Sequence, residues 1–272
     1  LIFLCLCRPL FSKVLIHFHS GNLPEFLEGS ALRSWLGRYI YGRGVWTIRL
    51  GDFCPAPYYP GNERFEVPNG IDAPTILPTR SSSTPFRILF LGNLFEEKGV
   101  IDLLKAVHLF AADYRGLITL SLVGGWPSDG SRQKIESLIA SLPSNVNCPP
   151  PAPAYGSAKW QALAEQDVFA FPSYYSSENF PLVIIEAMAA SLPVLASDWR
   201  GIKSLVSNEI TGLLVPPRDV KALASSLKRL ADNPQERRSM GNAGRLHYEQ
   251  HLTGRAHLTL MRQILIRAAE TA

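Results

Sequence analysis

The chain has 272 residues, of which 46% are hydrophobic and 18% charged. This length is enough for one large or two ordinary domains, and the composition is that of a globular protein and not of a disordered one. The net charge of +4 is mild and comes with no basic run or recognition motif, so we expect no nucleic-acid partner.

The four cysteines, at positions 5, 7, 54 and 148, show neither a CxxC motif nor the spacing of metal ligands. We therefore expect reduced thiols in a cytoplasmic protein without a metal site. The opening segment LIFLCLC lacks the basic leading region and the cleavage site of a signal peptide, and it is too short to cross a bilayer. We expect the chain to open inside a domain.

The first predicted strand, residues 13–18, ends in the run HFHSGN, which places His17 near the end of the strand and His19 at the start of the following loop. Loops at the carboxyl ends of parallel strands are where such sheets bind ligands. Strand alternation places both histidines on the same side. Each is a candidate for function, and each is equally compatible with a hydrogen-bonded structural role.

The segment 31–41 has apolar residues at helical spacing and two arginines, Arg33 and Arg38, off that face. The apolar residues are Leu32, Trp35, Leu36, Tyr39 and Ile40. The plain interpretation is a core helix with a solvated basic side. The alternative is a peripheral patch that contacts anionic lipid, because Trp and Arg together suit the headgroup level.

The remaining chain divides at a segment rich in Pro, Ser and Thr, residues 73–85, which we interpret as an interdomain linker. Before it, Asn69 and Gly70 in FEVPNGID predict a turn. After it, strand and helix alternate, which predicts a doubly wound parallel sheet in residues 86–255. The predicted strands are 87–92, 117–124, 167–173, 193–197 and 211–217, and the predicted helices are 98–111, 131–142, 160–165, 219–231 and 234–249.

Two acids, Glu178 and Glu186, lie with seven residues between them around a predicted helix that Pro181 opens. The unpaired N–H groups and the positive pole at a helix start suit a phosphate. Two carboxylates beside it could accept hydrogen bonds from hydroxyls of the same ligand. This pattern favours a nucleotide sugar, although acids near a helix start also occur simply because they complement the dipole.

The run ENFPLVIIEAMA, followed by PVLASD and TGLLVPPRD, is similar to the donor-binding signature of retaining glycosyltransferases of family 4. The resemblance implies an α/β protein of the GT-B type, with two Rossmann-like domains of parallel sheets. Residues 1–72 would be the remainder of an incomplete N-terminal, acceptor-side domain, with FEVPNGID as its closing strand. Residues 86–255 would be the nucleotide-sugar domain, and 256–272 a helix that could cross back to the first domain. In that last helix we expect one apolar face, formed by Leu258, Leu260, Met261, Ile264 and Leu265.

The resemblance also implies roles for individual residues. Glu178 would lie against the transferred sugar, Glu186 would hold the ribose, and His19 would line the cleft near the reacting carbon. GNLFEEKG resembles the phosphate loop of the family, in which Lys98 fits the diphosphate-binding lysine. The implied donor-binding residues are Gly92, Asn93, Lys98, Glu178, Asn179, Phe180, Pro181, Leu182, Val183 and Glu186.

This sequence departs from the family pattern at several positions. Asn179 and Ser191 stand where glycines are usual, Asn93 stands at the position of a phosphate-binding arginine, and Lys203-Ser204 replaces a usual Pro-Glu. Loss of this arginine, whose guanidinium group can donate two hydrogen bonds to a phosphate, is expected to weaken donor binding. The proline-rich segment 148–154 replaces the strand end and loop that lie beside the nucleobase in the family. The sequence therefore does not indicate which nucleobase is bound.

The expected activity is metal-independent transfer of a hexosyl group, with retention, from a nucleoside-diphosphate sugar to a glycan or lipid-linked acceptor in polysaccharide biosynthesis, without a cofactor. Peripheral membrane contact would fit a lipid-linked acceptor. The alternative is a non-catalytic nucleotide-sugar-binding module with a degenerate site. An epimerase fits the motifs less well, and the lack of GxGxxG after a strand argues against a nicotinamide dehydrogenase.

Overall fold

The computed structural model describes residues 4, 7–11, 13–42, 44–75, 85–126, 128 and 130–271. The strands are β1 (Val14–His17), β2 (Val45–Arg49), β3 (Arg64–Glu66), β4 (Phe86–Leu91), β5 (Ile118–Val123), β6 (Val146–Asn147), β7 (Val168–Phe171), β8 (Val194–Ser197) and β9 (Gly212–Val215). The helices are α1 (Leu23–Glu28), α2 (Ala31–Tyr41), α3 (Val100–Asp113), α4 (Ser131–Ala140), α5 (Gly156–Ala164), α6 (Leu182–Ala189), α7 (Ile202–Leu205), α8 (Val220–Asp232), α9 (Pro234–His251) and α10 (Gly254–Glu270).

The larger sheet has six parallel strands in the order β6-β5-β4-β7-β8-β9. Strands β7 and β8 are buried at every residue, which is why they read as continuous apolar runs and not as alternating ones. The chain winds outwards from β4 in one direction and from β7 in the other. The strand order therefore reverses between β4 and β7, and the crevice at their carboxyl ends is where such sheets bind ligands.

The smaller sheet has three parallel strands in the order β1-β2-β3. Side chains of β1 alternate between its two faces. Ile16 packs with the cluster formed by Leu27 and Ile40 of α1 and α2. Leu15 packs on the opposite face, where α10 covers the sheet.

Helix α10 contacts the smaller sheet through Ile264 and Ala268, which pack against Trp46, Ile48 and Val67. The apolar face predicted for this helix was only partly right. Leu258, Leu260 and Leu265 are exposed because the helix buries the stripe of Met261, Ile264 and Ala268 and leaves the neighbouring residues outside.

Two local predictions fail for reasons of tertiary contact. Strand β3 pairs in parallel with β2, and the chain passes through Asn69 and Gly70 without the predicted turn. Gly70 instead allows close packing, because a Cβ there would lie 2.3 Å from the carbonyl oxygen of Thr253. The helix predicted from residue 98 begins at Val100, because Gly99 turns the chain with φ of +81°.

Other element boundaries shift by a few residues. Helix α5 begins at Gly156, four residues before its predicted start, and the short strand β6 was not predicted. Of the predicted linker, residues 76–84 lie outside the described residues.

The core-helix interpretation of α2 is wrong for three of its five apolar residues. Leu32, Trp35 and Tyr39 are 66%, 59% and 45% exposed. The helix instead packs on the side of Gly37, whose α-carbon lies against Leu27 and Tyr59. Among the described residues, no helix is both long enough and apolar enough to cross a membrane.

Candidate functional site

The carboxyl ends of β4 and β5 touch through their glycines. A Cβ at Gly124 would lie 1.8 Å from the carbonyl oxygen of Gly92, so no larger residue fits there without moving the backbone. Gly92 itself has φ of +154°. Asn93, the next residue, is exposed to solvent at the rim of the crevice.

Lys98 is placed by a turn that packs under the loop after β7. The turn Glu96–Lys98 ends at Gly99, where a Cβ would lie 2.1 Å from the carbonyl oxygen of Pro172. The amide of Tyr174 donates a hydrogen bond to the carbonyl of Glu97 at 2.9 Å. These contacts fix the lysine across the strand-order reversal between β4 and β7.

The structure brings Lys98 and Glu178 into direct contact. The Nζ atom of Lys98 lies 2.7 Å from Oε2 of Glu178, and the two side chains are only 17% and 8% exposed. The hydroxyl of buried Ser173 donates to the same carboxylate oxygen at 2.8 Å. The site therefore contains a nearly buried ion pair whose acid is held from two sides.

Three aromatic rings surround the ammonium of Lys98. Its Nζ lies 4.8 Å from the ring centre of Tyr175, 5.5 Å from that of Phe171 and 5.9 Å from that of Phe95. An ammonium group has three N–H donors. Within the described part of the chain its hydrogen-bond partner is Glu178, which leaves donors for an anionic ligand.

Glu186 is paired with a different lysine. Lys159 of α5 lies 2.5 Å from Oε1 of Glu186, and both are largely buried. Side chains of a helix tilt towards its N-terminus, so the carboxylate leans towards the start of α6. Its second oxygen has no hydrogen-bond partner among the described residues.

The start of α6 is open. Pro181 is the residue before the helix and not its first helical residue, and no side chain caps the N-terminal N–H groups. Leu182 is exposed and Val183 half-buried, whereas Phe180 is buried against Gly51 in the loop after β2. Because α6 follows β7, its start lies at the carboxyl edge of the sheet, as the ion pair does.

Two departures from the family pattern behave differently in the structure. Asn179 is buried, and neither atom of its amide has a partner among the described residues. It does not adopt a left-handed conformation, whereas Ser191 does, with φ of +58°.

The loop after β1 reaches the acid of the ion pair through its glycine. A Cβ at Gly21 would lie 2.3 Å from the carbonyl oxygen of Glu178. His19 lies two residues earlier and is exposed. The structure thus brings the segment of His19 to the Glu178 loop, with the backbone of Gly21 as the point of contact.

The histidines of this loop form a cluster with α10. The ring centres of His17 and His19 are 4.2 Å apart, and His257 stacks on His17 at 6.2 Å. Burial, with the neighbouring His19 and His257, lowers the pKa of His17 to about 4. Burial, with His257, also lowers the pKa of His19. Both imidazoles are therefore neutral near pH 7.

Sequence analysis missed several residues of this region, among them Ser173, Lys159 and Arg200. Ser173 could have been found from the sequence, because it is the last residue of the strand predicted at 167–173 and so lies at the carboxyl edge of the sheet. Lys159 and Arg200 had none, because their partners lie far away in the sequence. Lys203, which replaces a usual proline, pairs with Asp198 at 2.9 Å.

A cavity of 660 Å³ lies between the smaller sheet and the last two helices, lined by Gly51, Phe180, Ser204, His247, His251 and Arg255 among others. Neither Lys98 nor Glu178 lines it, so we place the candidate site at the strand-order reversal, where charged groups converge. Within the described residues, no group of three or more His, Cys, Asp or Glu side chains is arranged to hold a metal ion.

A doubly wound parallel sheet that meets a smaller parallel sheet across a crevice defines an α/β protein of the GT-B type. A family model described as "Glycosyl transferases group 1" matches residues 77–247, more than half of the chain. The chain belongs to this family.

Among curated relatives, glycogen synthase of Mycobacterium tuberculosis is 28% identical over 237 residues, which cover 84% of this chain and 55% of that protein. D-inositol 3-phosphate glycosyltransferase of Streptomyces coelicolor is 36% identical over 167 residues, 58% of this chain and 35% of that protein. The chain thus spans about half the length, or less, of these relatives.

Solved structures share the fold. Sucrose-phosphate synthase from Thermosynechococcus elongatus superposes with a TM-score of 0.74 at 24% identity, over 95% of this chain and 68% of that chain. Anabaena HepE, solved in complex with UDP-glucose, superposes with a TM-score of 0.70 at 19% identity, over 95% of this chain and 72% of that chain.

Proposed function

We propose that this protein transfers a hexosyl group from a nucleoside-diphosphate sugar to a glycan or lipid-linked acceptor, with retention of configuration and without a metal ion. The observation that carries the proposal is the contact of Lys98 with Glu178 where the strand order reverses. A cation with unused donors and a nearly buried acid there suit the phosphate and the hydroxyls of one ligand.

In this proposal Lys98 and the open start of α6 hold the diphosphate. Transfer breaks the bond between the anomeric carbon and a diphosphate oxygen, so negative charge grows on the leaving group. The ammonium and the helix dipole would stabilise that charge without a cation. Glu178 would orient the sugar, and Glu186 would use its second oxygen for the ribose.

The acceptor side is proposed from the loop that carries His19. Its glycine meets the Glu178 loop, and neutral His19 could accept or donate a hydrogen bond near the transferred sugar. Support for a nucleotide-sugar donor comes from HepE, which was solved with UDP and with UDP-glucose.

Peripheral contact with anionic lipid is proposed for the exposed face of α2. Trp35 and Tyr39 stack there with ring centres 6.2 Å apart, and exposed Arg38 lies one turn from Trp35 on the same helix. An aromatic pair with a cation beside it suits the headgroup level of a membrane and a lipid-linked acceptor.

A second candidate is a nucleotide-sugar-binding module without catalysis. Exposed Asn93 favours this candidate, because it occupies the position where the family pattern has a phosphate-binding arginine. In this case donor would bind while the sugar stays attached.

Turnover separates the two candidates. We expect UDP to bind in calorimetry with the same affinity in the presence and absence of EDTA, and UDP-glucose to be consumed, by transfer or slow hydrolysis. Binding without consumption would favour the module. No binding of UDP, GDP or ADP, or binding that EDTA abolishes, would contradict the proposal.

A further inference from the structure

Arg200 has an unusual backbone conformation. It lies between β8 and α7 with φ of +42°, in the left-handed region that a residue with a long side chain rarely adopts. The Nε atom of its guanidinium is also buried without a hydrogen-bond partner among the described residues. Such strain persists when surrounding contacts enforce it, and it is often connected with function.

The guanidinium of Arg200 reaches across the crevice to the smaller sheet. Its Nη1 donates to the carbonyl oxygen of Gly21 at 2.6 Å, and its Nη2 lies 2.8 Å from Oε1 of Glu25 in α1. The Arg200 side chain is only 18% exposed. The guanidinium group of Arg200 therefore binds both the loop after β1 and helix α1, which follows it.

The loop held in this way is the one that meets the candidate site. The amide of Gly21 faces the carbonyl of Ser177 at 3.4 Å, and its α-carbon packs on the carbonyl of Glu178. Gly21 is thus in contact with the Arg200 guanidinium through its carbonyl and with the Glu178 loop through its amide and α-carbon. A change of its position would also move His19, two residues away.

We propose that Arg200 is a positioning residue that clasps the His19–Gly21 loop against the Glu178 loop. Its effect on turnover rests on the proposed function, whereas its hold on the loop does not. The residue acts through the loop and needs no contact with the donor. Loss of the clasp would loosen the acceptor side of the crevice and leave Lys98 and the start of α6 in place.

The test compares Arg200→Gly with Arg218→Gly. Arg218 also has a positive φ, +64°, and its guanidinium lies over the ring of Tyr174 within the larger domain. Both changes relieve the same backbone strain, but only the first removes a contact across the crevice. Glu25→Gln, at a half-exposed position, is a milder variant that keeps the bond from Arg200 to Gly21.

Hydrogen exchange of residues 18–28 is the primary measurement. We expect exchange there to rise about tenfold or more in Arg200→Gly, the factor for the loss of one charged hydrogen bond. A smaller rise is expected in Glu25→Gln and none in Arg218→Gly, while peptides from β4 and β7 exchange as in the wild type. Affinity for UDP should stay unchanged in all variants, while consumption of UDP-glucose falls about tenfold in Arg200→Gly.

Equal exchange of residues 18–28 in Arg200→Gly and Arg218→Gly would overturn the proposal. Faster exchange with unchanged consumption of UDP-glucose would overturn the positioning role. If the wild type binds none of UDP, GDP and ADP and consumes none of their glucose conjugates, the proposed function fails, and exchange alone decides whether Arg200 holds the loop.

Discussion

At the scale of single residues, the two acids of the site are already occupied by different lysines. Lys98 pairs with Glu178 and Lys159 with Glu186. A ligand that enters the crevice must therefore share Lys98 with Glu178, whereas at Glu186 it meets the carboxylate oxygen that Lys159 does not hold. The arrangement predicts that the two acids respond differently to substitution.

We predict that Glu186→Ala weakens UDP binding by about 1–3 kcal/mol, the cost of a lost charged hydrogen bond. Glu178→Ala should bind UDP at least as tightly as the wild type, because it releases Lys98 for the diphosphate, and should lose consumption of UDP-glucose. Calorimetry with UDP and a turnover assay check both. Equal loss of UDP affinity in the two variants would contradict the assignment.

Ser191 allows a prediction about stability. It is an exposed residue with φ of +58°, a conformation that costs a non-glycine residue about 1 kcal/mol or more. Ser191→Gly should therefore raise the free energy of unfolding by about 1 kcal/mol. Denaturant titration measures this, with Ser137→Gly in the exposed face of α4 as the contrast, which should be destabilising. A loss of stability in Ser191→Gly would contradict the argument.

The histidine cluster predicts a dependence of stability on pH. Folding lowers the pKa of His17 from 6.5 to about 4 through burial and the neighbouring His19 and His257. Between these two pH values His17 is protonated in the unfolded chain but neutral in the folded protein, so protonation favours unfolding. The free energy of unfolding is therefore unaffected by His17 above pH 6.5 and falls as the pH is lowered towards 4.

Denaturant titrations at several pH values between these limits would measure the effect. The stability of the wild type relative to His17→Gln should decline as the pH falls, whereas exposed His108→Gln should keep the pH profile of the wild type. A difference between wild type and His17→Gln that does not change with pH would refute this account of the cluster.

At the scale of elements, α2 shows what periodicity can and cannot decide. Helical spacing correctly located the helix, but spacing alone does not say which stripe faces the core. Gly37 lets α2 approach Leu27 on another side, and this leaves Leu32 and Trp35 exposed. The contact of Gly37 with Leu27, which the sequence pattern of α2 does not show, determined which face of the helix is buried.

The exposed face of α2 should bind anionic vesicles. Trp35→Glu is expected to reduce co-sedimentation with vesicles of phosphatidylcholine and phosphatidylglycerol about tenfold, because one large apolar side chain no longer enters the interface. Leu258→Glu, at an exposed apolar position of α10, should have no such effect. The lipid proposal fails if both variants bind like the wild type.

At the scale of the whole molecule, the α/β fold class and the family resemblance are confirmed. Both rest on signals within short stretches, such as buried strands that alternate with helices and a motif of consecutive residues. The pairing of Lys159 with Glu186 and the reach of Arg200 to Gly21 depend on contacts between distant parts of the chain. Local patterns carry no information about such contacts, so these residues could not be predicted.

The account depends most on Lys98 as the cation that replaces a metal at the diphosphate. Calorimetric titration of UDP into the wild type and Lys98→Met tests this most directly. The account predicts binding by the wild type and affinity at least tenfold weaker in Lys98→Met, as expected when a charged hydrogen bond is lost. Equal affinity of a folded Lys98→Met variant would contradict it.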